Sequence, residues 1–246
     1  DSRAPGGDGQ DDLVMDQQAL QVGVTVAFTG LMMAVVLAKG RQLFQPLVNV
    51  TDEASAQQGI AQTMAAFGAI HICVNCAGIG NAIKTYSKKG AFPLADFNRI
   101  IQINLIGTFN VLRLAAEQMA KNERPDEFTD RGVIINIASV AAFDGQIGQA
   151  AYSASKGGVV GMTLPIARDL ADYAIRVNTI APGLIHTPLL ASLPDHVRDS
   201  LSNTVLYPKR LGQPEEIAHL AVSIVENGYI NGECIRMDGG IRMQPR

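Results

Sequence analysis

The sequence has few of the features that mark secreted, membrane-embedded or nucleic-acid-binding proteins. It contains 3 cysteines in 246 residues, too few for a disulfide framework, which favours a reducing compartment. No apolar run reaches about 18 residues, the length that predicts a membrane-spanning helix. The net charge is −3 and there is no long basic run, so nucleic acid has little electrostatic basis for binding. We therefore expect a partner that is neither a membrane nor a nucleic acid.

The N-terminal stretch also lacks a targeting pattern. Residues 1–12 are acidic and rich in glycine. They have neither the basic and apolar blocks of a signal peptide nor the arginine-rich composition of a transit peptide. Together with the cysteine usage this predicts a cytoplasmic protein, with the mitochondrial matrix as the alternative if a transit peptide has been removed.

No metal site is predicted. Cys73 and Cys76 form a C-x-x-C, but they lie in a strand-like run where an odd spacing points them to opposite faces. A second pair of ligands is also missing, so buried thiols are the favoured interpretation. The histidines are scattered without metal-ligand spacing: His71, His186, His196 and His219.

The stretch that carries most information is residues 132–161. Its apolar, β-branched start at residues 132–137 predicts a strand buried on both faces, as in a parallel sheet. Ser139 follows at the carboxyl end of that strand, the edge at which open α/β sheets bind ligands. With 47% hydrophobic residues in a chain of 246, one substantial core and a single α/β domain are expected.

Tyr152 and Lys156 follow on a predicted helix, and their i, i+4 spacing places both side chains on one face. Free tyrosine has a pKa near 10 and is a poor base at neutral pH, but an adjacent cation stabilises phenolate and lowers that pKa. Tyr152 would then exchange a proton with a substrate oxygen to which Ser139 is hydrogen-bonded. Such pairs are also common on ordinary helices, so the spacing alone does not identify a site.

Five features in the same order resemble the short-chain dehydrogenase/reductase family: the sequence Asn-Cys-Ala-Gly at residues 75–78, Asn104, Ser139, the Tyr152/Lys156 pair, and Pro182 with Gly183. The resemblance extends from about Val50 to Arg246. It implies a Rossmann-like, doubly wound parallel sheet with helices on both faces, an NAD cofactor and a homotetramer. It also implies that Asn104 holds a water that relays protons to Lys156.

The resemblance assigns roles residue by residue. It implies a catalytic set of Ser139, Tyr152, Lys156 and Asn104. The implied cofactor contacts are Asn49, Val50, Asn75, Cys76, Ala77, Gly78, Tyr152, Lys156, Pro182, Gly183, Ile185 and Thr187. Substrate contacts are implied for Ser139, Gln146 and Tyr152, and residues 188–212 are expected to form a lid over the substrate.

Residues 1–49 depart from the family, because the glycine-rich T-G-x-x-x-G-x-G loop is not intact. One placement makes residues 24–30 the first strand. The other makes residues 6–9 a remnant of the loop, 13–20 and 31–38 helices, and 22–28 and 43–50 strands. Neither placement supplies the acidic residue that usually binds the ribose of NAD, and Asn49 stands where the family has aspartate. The adenine half of the cofactor site is therefore atypical.

The remaining elements are more regular. We expect a helix capped by Thr51 and ending near residue 67, a strand at 70–75, and a long helix over 94–121. A strand at 175–180, a helix beginning at Pro214 and a last strand at 232–237 complete the domain. The long loop at 81–95 carries Lys84, Lys88 and Lys89, which either bind an anionic part of the substrate or lie on a solvated surface.

Further similarity narrows the expected substrate. Residues 145–152, 163–168, 188–194 and 240–245 resemble type-2 3-hydroxyacyl-CoA dehydrogenases, a subgroup that includes a mitochondrial hydroxysteroid dehydrogenase. The expected activity is the reversible, NAD-dependent oxidation of a 3-hydroxyacyl-CoA in fatty acid metabolism. The alternatives are a steroid or other secondary-alcohol dehydrogenase with the same catalytic residues, and a non-catalytic relative that has lost the N-terminal cofactor loop.

Overall fold

A computed structural model describes residues 48–187 and 194–245, and the backbone of two short strands before them. In chain order the elements are β1 (Ala34–Ala38), β2 (Gln42–Phe44), α1 (Glu53–Phe67), β3 (Ile72–Asn75), β4 (Tyr86–Ser87), β5 (Gly90–Ala91), α2 (Leu94–Ile101), a π-helical turn (Gln102–Ile106), α3 (Gly107–Met119), β6 (Gly132–Ile137), a 3₁₀ turn (Val140–Ala142), α4 (Ala150–Leu170), a second 3₁₀ turn (Ala171–Tyr173), β7 (Ile175–Pro182), α5 (Asp195–Thr204), α6 (Pro214–Glu226) and β8 (Cys234–Met237).

The main sheet has the strand order β2-β1-β3-β6-β7-β8. Strands β3, β6, β7 and β8 are parallel to their neighbours, whereas β1 runs antiparallel to β3 and to β2. Helical crossovers join the parallel strands, as a parallel sheet requires. The predicted Rossmann-like parallel sheet is therefore confirmed for these four strands, and an antiparallel pair forms one edge.

Both faces of the sheet are covered, and this explains the apolar strand sequences. In β6, Ile134 packs in one core with helices α1, α3 and α4, while its neighbour Ile135 packs in a second core with α6. All six residues of β6 are buried. Alternating side chains on a strand point to opposite faces, so a strand between two helical layers needs apolar residues at successive positions.

Two expectations for the region before α1 were wrong. Residues 34–38 form a strand, not part of a helix at 31–38, and of the strand expected at 43–50 the part at residues 43–44 belongs to β2 whereas residues 48–50 are not in a strand. Short apolar runs suit either element, because only tertiary contacts decide between them. The expected elements at residues 6–9, 13–20, 22–28 and 24–30 lie outside the described residues.

The other elements agree with expectation, apart from their ends. Asp52, not Thr51, caps α1, since its side chain accepts a hydrogen bond from the Ser55 amide at 2.6 Å. The long helix expected at 94–121 is continuous but contains the π-helical turn. A small hairpin of β4 and β5 lies within the expected loop at 81–95. None of the described helices combines the length and apolar character that a membrane crossing requires.

Candidate active site

A cleft of about 380 Å³ opens at the carboxyl ends of β3, β6 and β7. In parallel α/β sheets this edge is where ligands bind, and the volume lies in the usual range for small-molecule sites. The cleft is lined by residues that follow these strands and by two side chains of α4: Cys76, Gly78, Ile79, Gly80, Ile137, Ala138, Ser139, Tyr152, Lys156, Pro182, Gly183, Leu184, Ile185 and Thr187. Most of the predicted site residues are thus brought together.

Ser139 and Tyr152 meet within this cleft. Ser139 follows β6 in an extended conformation, and its Oγ accepts a hydrogen bond of 3.1 Å from the Ala141 amide. Tyr152 lies in the first turn of α4 and is half-buried. Burial raises the pKa of the Tyr152 phenol, while a hydrogen bond with the Ser139 side chain acts to lower that pKa. The net direction is opposite to the lowering that the sequence led us to expect, because burial outweighs the hydrogen bond.

Lys156 lies one helical turn after Tyr152 and is only 4% exposed. Its Nζ donates a hydrogen bond of 2.7 Å to the Ile137 carbonyl and lies 6.0 Å from the centroid of the Tyr152 ring. Burial lowers the pKa of Lys156 to about 8, with the Cys76 thiol acting in the opposite direction. The helix spacing therefore places the two groups together, and burial makes the ammonium easier to deprotonate.

Asn104 lies in the π-helical turn and is fully buried. Its Oδ1 accepts from the Ile79 amide at 2.8 Å, and its Nδ2 donates to the Ile79 carbonyl at 2.8 Å and to Ser155 Oγ at 3.0 Å. Such π-helical turns are rare and are frequent at functional sites. Asn104 thus fastens the loop after β3 to the helix that carries Tyr152 and Lys156, while its implied role in a water relay stays a prediction.

Comparison with known proteins agrees with this geometry. A family model described as "Enoyl-(Acyl carrier protein) reductase" matches residues 17–242. Rat 3-hydroxyacyl-CoA dehydrogenase type-2 is 60% identical over 208 residues, covering 84% of this chain and 79% of that protein. The chain belongs to the short-chain dehydrogenase/reductase family. It is accordingly an oxidoreductase that acts on CH–OH groups, and dehydrogenases of this family use nicotinamide cofactors.

Two further relatives support the assignment to the short-chain dehydrogenase/reductase family. The human 3-hydroxyacyl-CoA dehydrogenase type-2 is 59% identical over 205 residues, which are 82% of this chain and 78% of that protein. A crystal structure of 3-hydroxyacyl-CoA dehydrogenase type-2 from Mycobacterium avium matches with a TM-score of 0.75 at 40% identity. That match covers 81% of this chain and 77% of the other.

On the β3 side, the cleft of this short-chain dehydrogenase/reductase fits the nicotinamide half of the cofactor. A Cβ atom at Gly78 would lie 3.2 Å from Lys156 Nζ, so only glycine leaves this space open. Asn75, just before, is buried, and its Nδ2 donates to Asn136 Oδ1 at 2.9 Å. Cys76 and Gly78 then form the wall at which a flat ring and its ribose would be held, while Ala77 packs against the core behind them.

On the β7 side, Pro182 ends the strand and Gly183 follows. A Cβ atom at Gly183 would lie 2.7 Å from Asp238 Cβ, which again restricts the position to glycine. Ile185 and Thr187 are buried beyond it, and the amide of Thr187 donates to the Ile185 carbonyl at 2.8 Å. These residues would hold the carboxamide end of the cofactor, as the resemblance implies.

Three residues that the resemblance assigns to the cofactor or substrate do not line the cleft, and each forms hydrogen bonds with other parts of the protein. Asn49 is exposed, and its Oδ1 accepts from the amide and hydroxyl of Thr51 at 3.1 and 2.8 Å. Val50 is buried in the core beside α3, where its carbonyl accepts from Asn110 at 3.0 Å. Gln146 donates to the Gln244 carbonyl at 2.9 Å. Their cofactor and substrate roles stay predictions.

Sequence reasoning missed Ile79 and Gly80, which continue the wall of the cleft. Ile79 forms the two main-chain hydrogen bonds to Asn104, and a Cβ atom at Gly80 would lie 3.6 Å from the Tyr152 ring. The sequence feature that could have identified Ile79 and Gly80 is their position directly after the Asn-Cys-Ala-Gly sequence. In the part of the chain that the structure describes, no three His, Cys, Asp or Glu side chains are grouped to hold a metal ion.

Proposed function

We propose that the protein catalyses the reversible, NAD-dependent oxidation of a 3-hydroxyacyl-CoA to the 3-oxoacyl-CoA. The observation that carries the proposal is the convergence of Ser139, Tyr152 and Lys156 in one cleft at the sheet edge. The 60% identity to the rat type-2 enzyme supports the substrate class, because that protein is named for it.

In this proposal Tyr152 exchanges the proton and Ser139 holds the oxygen. In the oxidative direction the Tyr152 phenolate removes the proton of the substrate hydroxyl, while the Ser139 hydroxyl donates a hydrogen bond to the same oxygen. In the reductive direction the Tyr152 phenol returns a proton to that oxygen. When bound, the nicotinamide supplies hydride acceptance and donation.

Lys156 has two tasks in this mechanism. Its ammonium stabilises negative charge on the Tyr152 oxygen, and it would donate hydrogen bonds to the ribose hydroxyls next to the nicotinamide. The hydrogen bond to the Ile137 carbonyl, 2.7 Å long, fixes the ammonium at the bottom of the cleft. The low-polarity surroundings that lower its pKa also strengthen its electrostatic effect on Tyr152.

The coenzyme A part of the substrate would meet the hairpin of β4 and β5. Lys84, Lys88 and Lys89 are exposed on or beside this hairpin, and ammonium groups bind phosphates well. The hairpin region is tied to the segment before Tyr152, because the Ile83 amide donates to the Gly148 carbonyl at 3.0 Å. A substrate phosphate on these lysines is therefore compatible with a thioester near Tyr152.

The proposal also includes a homotetramer in a cytoplasmic or mitochondrial-matrix setting. The reducing setting rests on the cysteine usage, and the tetramer on the family resemblance. Sedimentation equilibrium of the purified chain measures the assembly directly, and a monomer at micromolar concentration would contradict this part of the proposal.

One observation favours a second candidate, a non-catalytic relative. Strand β1 runs antiparallel to β3, where a doubly wound sheet has a parallel strand that helps to form the adenine site. If this edge does not bind the adenine half, NADH affinity falls and turnover is lost. The two candidates therefore differ first in cofactor binding.

The deciding experiment measures NADH oxidation by the purified protein with acetoacetyl-CoA, and NADH binding separately by fluorescence titration. We expect turnover in the wild type, and its loss with retained NADH binding in Tyr152→Phe, because that variant lacks only the proton-exchanging hydroxyl. An unchanged rate in Tyr152→Phe would refute the mechanism. Absence of both binding and turnover in the wild type would favour the non-catalytic relative.

A further inference from the structure

The segment between Ser139 and the helix of Tyr152 is held by an arginine from the other end of the chain. We call residues 143–149 the approach loop. Arg236, in β8, donates to both carboxylate oxygens of Asp144 in this loop, at 3.3 and 2.6 Å. The side chains of Arg236 and Asp144 are only 20% and 18% exposed. The guanidinium also lies 5.2 Å from the centroid of the Phe143 ring. Bidentate, partly buried arginine–carboxylate pairs of this kind fix the relative position of the two side chains and also stabilise the folded protein.

The same guanidinium contacts the cofactor side of the cleft. Arg236 Nε donates to Asp238 Oδ2 at 2.8 Å, and Asp238 packs directly against Gly183, which lines the cleft. The Gly183 amide in turn donates to the Met237 carbonyl at 3.0 Å. One partly buried cation therefore joins the loop that leads to Tyr152 to the turn expected to hold the nicotinamide.

The C-terminal segment reinforces this connection. The Ile147 amide of the approach loop donates to the Pro245 carbonyl at 3.1 Å, and Arg236 donates to the Ile241 carbonyl at 3.1 Å. Directly after Asp144, Gly145 packs so closely on Ser153 that an added Cβ atom would clash with Ser153 Oγ. The approach loop thus packs tightly against Ser153, the residue after Tyr152. A shift of the loop would therefore also displace the first turn of α4, which carries Tyr152.

We infer that Arg236 is a positioning residue, which sets the location of Tyr152 relative to the cofactor turn through its simultaneous contacts with Asp144 and Asp238. The inference rests on the proposed function, since it concerns the geometry of the same site. Reacting groups must be held closely, because misplacement by about 1 Å reduces rates by up to about a hundredfold. Neither Arg236 nor Asp144 lines the cleft, so the effect of Asp144 on rate passes through the approach loop, and that of Arg236 passes through the approach loop and Asp238.

The test compares Asp144→Asn, Arg236→Gln and the double variant with the wild type. Four quantities are measured: kcat and KM for acetoacetyl-CoA, the NADH dissociation constant, and amide hydrogen exchange in residues 143–149. In Asp144→Asn we expect kcat to fall about tenfold, with faster exchange in the approach loop and an NADH dissociation constant within about twofold of wild type. In Arg236→Gln, which also removes the Arg236 contact with Asp238, we expect weaker NADH binding as well.

Three controls separate positioning from general damage. Arg242→Gln removes a more exposed guanidinium that also contacts Asp238, at 3.3 Å, and that acts on Asp144 only through a weaker charge interaction than Arg236 does, so this variant should keep most of the wild-type kcat. Asp144→Glu retains a carboxylate and should recover most of the lost rate. The double variant should be no slower than Arg236→Gln. Both substitutions remove the same Arg236–Asp144 ion pair, so their effects on kcat should not add.

Unchanged kcat and unchanged loop exchange in Asp144→Asn would overturn the inference, and so would an equal loss in Arg242→Gln. A lower melting temperature with normal kcat per active site would show that the pair is merely structural, and this too would overturn it. If the wild type fails to turn over acetoacetyl-CoA, the proposed function fails. Hydrogen exchange and NADH binding, which need no turnover, would then still decide whether Arg236 orders the approach loop and the cofactor turn.

Discussion

Lys156 holds its ammonium 2.7 Å from the Ile137 carbonyl, at the carboxyl end of the strand that delivers Ser139. This hydrogen bond thus joins the two segments that supply the three side chains of the proposed mechanism. The same placement removes the ammonium from water, and burial lowers the pKa of Lys156 to about 8. The charge on which the proposed mechanism depends is therefore sensitive to pH within the range where the enzyme can be assayed.

We predict that kcat/KM for reduction of acetoacetyl-CoA falls as the pH rises above about 8. In the proposed mechanism, reduction requires a protonated Tyr152 and a charged Lys156. Burial raises the pKa of Tyr152 above its ordinary value, so the tyrosine keeps its proton, and Lys156, with a pKa of about 8, loses its charge first. A pH profile from 6 to 10, with circular dichroism to confirm folding, checks this. A rate that stays constant up to pH 9.5 would contradict it.

The same pKa shift predicts a pH dependence of stability. The pKa of Lys156 is lowered from 10.5 to about 8 in the folded protein, so between these pH values the unfolded chain binds a proton that the folded protein has released. The free energy of unfolding therefore rises with pH in this window, by about 2 kcal/mol between pH 8 and 10. Below pH 8 both states are protonated and the contribution is constant.

The measurement is urea unfolding of the wild type and of Lys156→Met at several pH values. The variant removes the titrating group and leaves the others, so the difference between the two proteins isolates Lys156. We expect this difference to shift in favour of the wild type as the pH rises. A difference that does not change between pH 8 and 10 would show that the pKa of Lys156 is not lowered.

Gly78→Ala should reduce turnover strongly while the fold is retained. The added methyl group would lie 3.2 Å from Lys156 Nζ and 3.5 Å from Asn104 Oδ1, and the lysine must move to relieve the contact. We expect kcat to fall about tenfold or more, because the ammonium leaves its position beside Tyr152. Steady-state kinetics and a melting curve measure the two effects.

Gly161→Ala is the matched control for that prediction. Gly161 lies on the exposed face of α4, and a Cβ atom there has no neighbour within 4 Å. The variant should keep wild-type kcat and gain up to about 1 kcal/mol of stability, since alanine favours helix more than glycine does. Equal losses of activity in both variants would show that the methyl group at residue 78 has no specific effect.

The positions of the residues proposed to be catalytic were predictable because these residues are close in sequence and their geometry is local. An i, i+4 pair on a helix must share a face, and a serine directly after a buried parallel strand must reach the ligand-binding edge. Tyr152, Lys156 and Ser139 are therefore found where the sequence places them. Asn104 also lies beside the cleft, hydrogen-bonded to Ile79, although the π-helical turn around it was not predicted.

What could not be predicted depends on tertiary contacts. The run at residues 34–38 satisfies a helix or a strand equally well, and its pairing with β3 decides the matter. The direction of the Tyr152 pKa shift depends on burial, which helix spacing does not reveal. Arg236 and Asp144 are separated by 92 residues, and no local pattern indicates that they meet.

The last prediction concerns Asn104→Ala. The variant leaves the amide and carbonyl of Ile79 without the two hydrogen bonds of 2.8 Å that Asn104 forms with them. Unsatisfied polar groups cost about 1–3 kcal/mol each, less where water reaches them, so we expect a loss of about 2–4 kcal/mol in the free energy of unfolding. Turnover should fall too, because Ile79 lines the cleft.

Ser155→Ala provides the graded comparison for Asn104→Ala. It removes the acceptor of the third Asn104 hydrogen bond, 3.0 Å long, and a hydrogen bond to the Tyr152 carbonyl, but leaves both contacts with Ile79. Urea unfolding should therefore show a smaller loss, about 1 kcal/mol, with most of the turnover kept. If Ser155→Ala is as damaging as Asn104→Ala, the important contact is the one between helices. In that case the loop after β3 does not depend on Asn104 for its position.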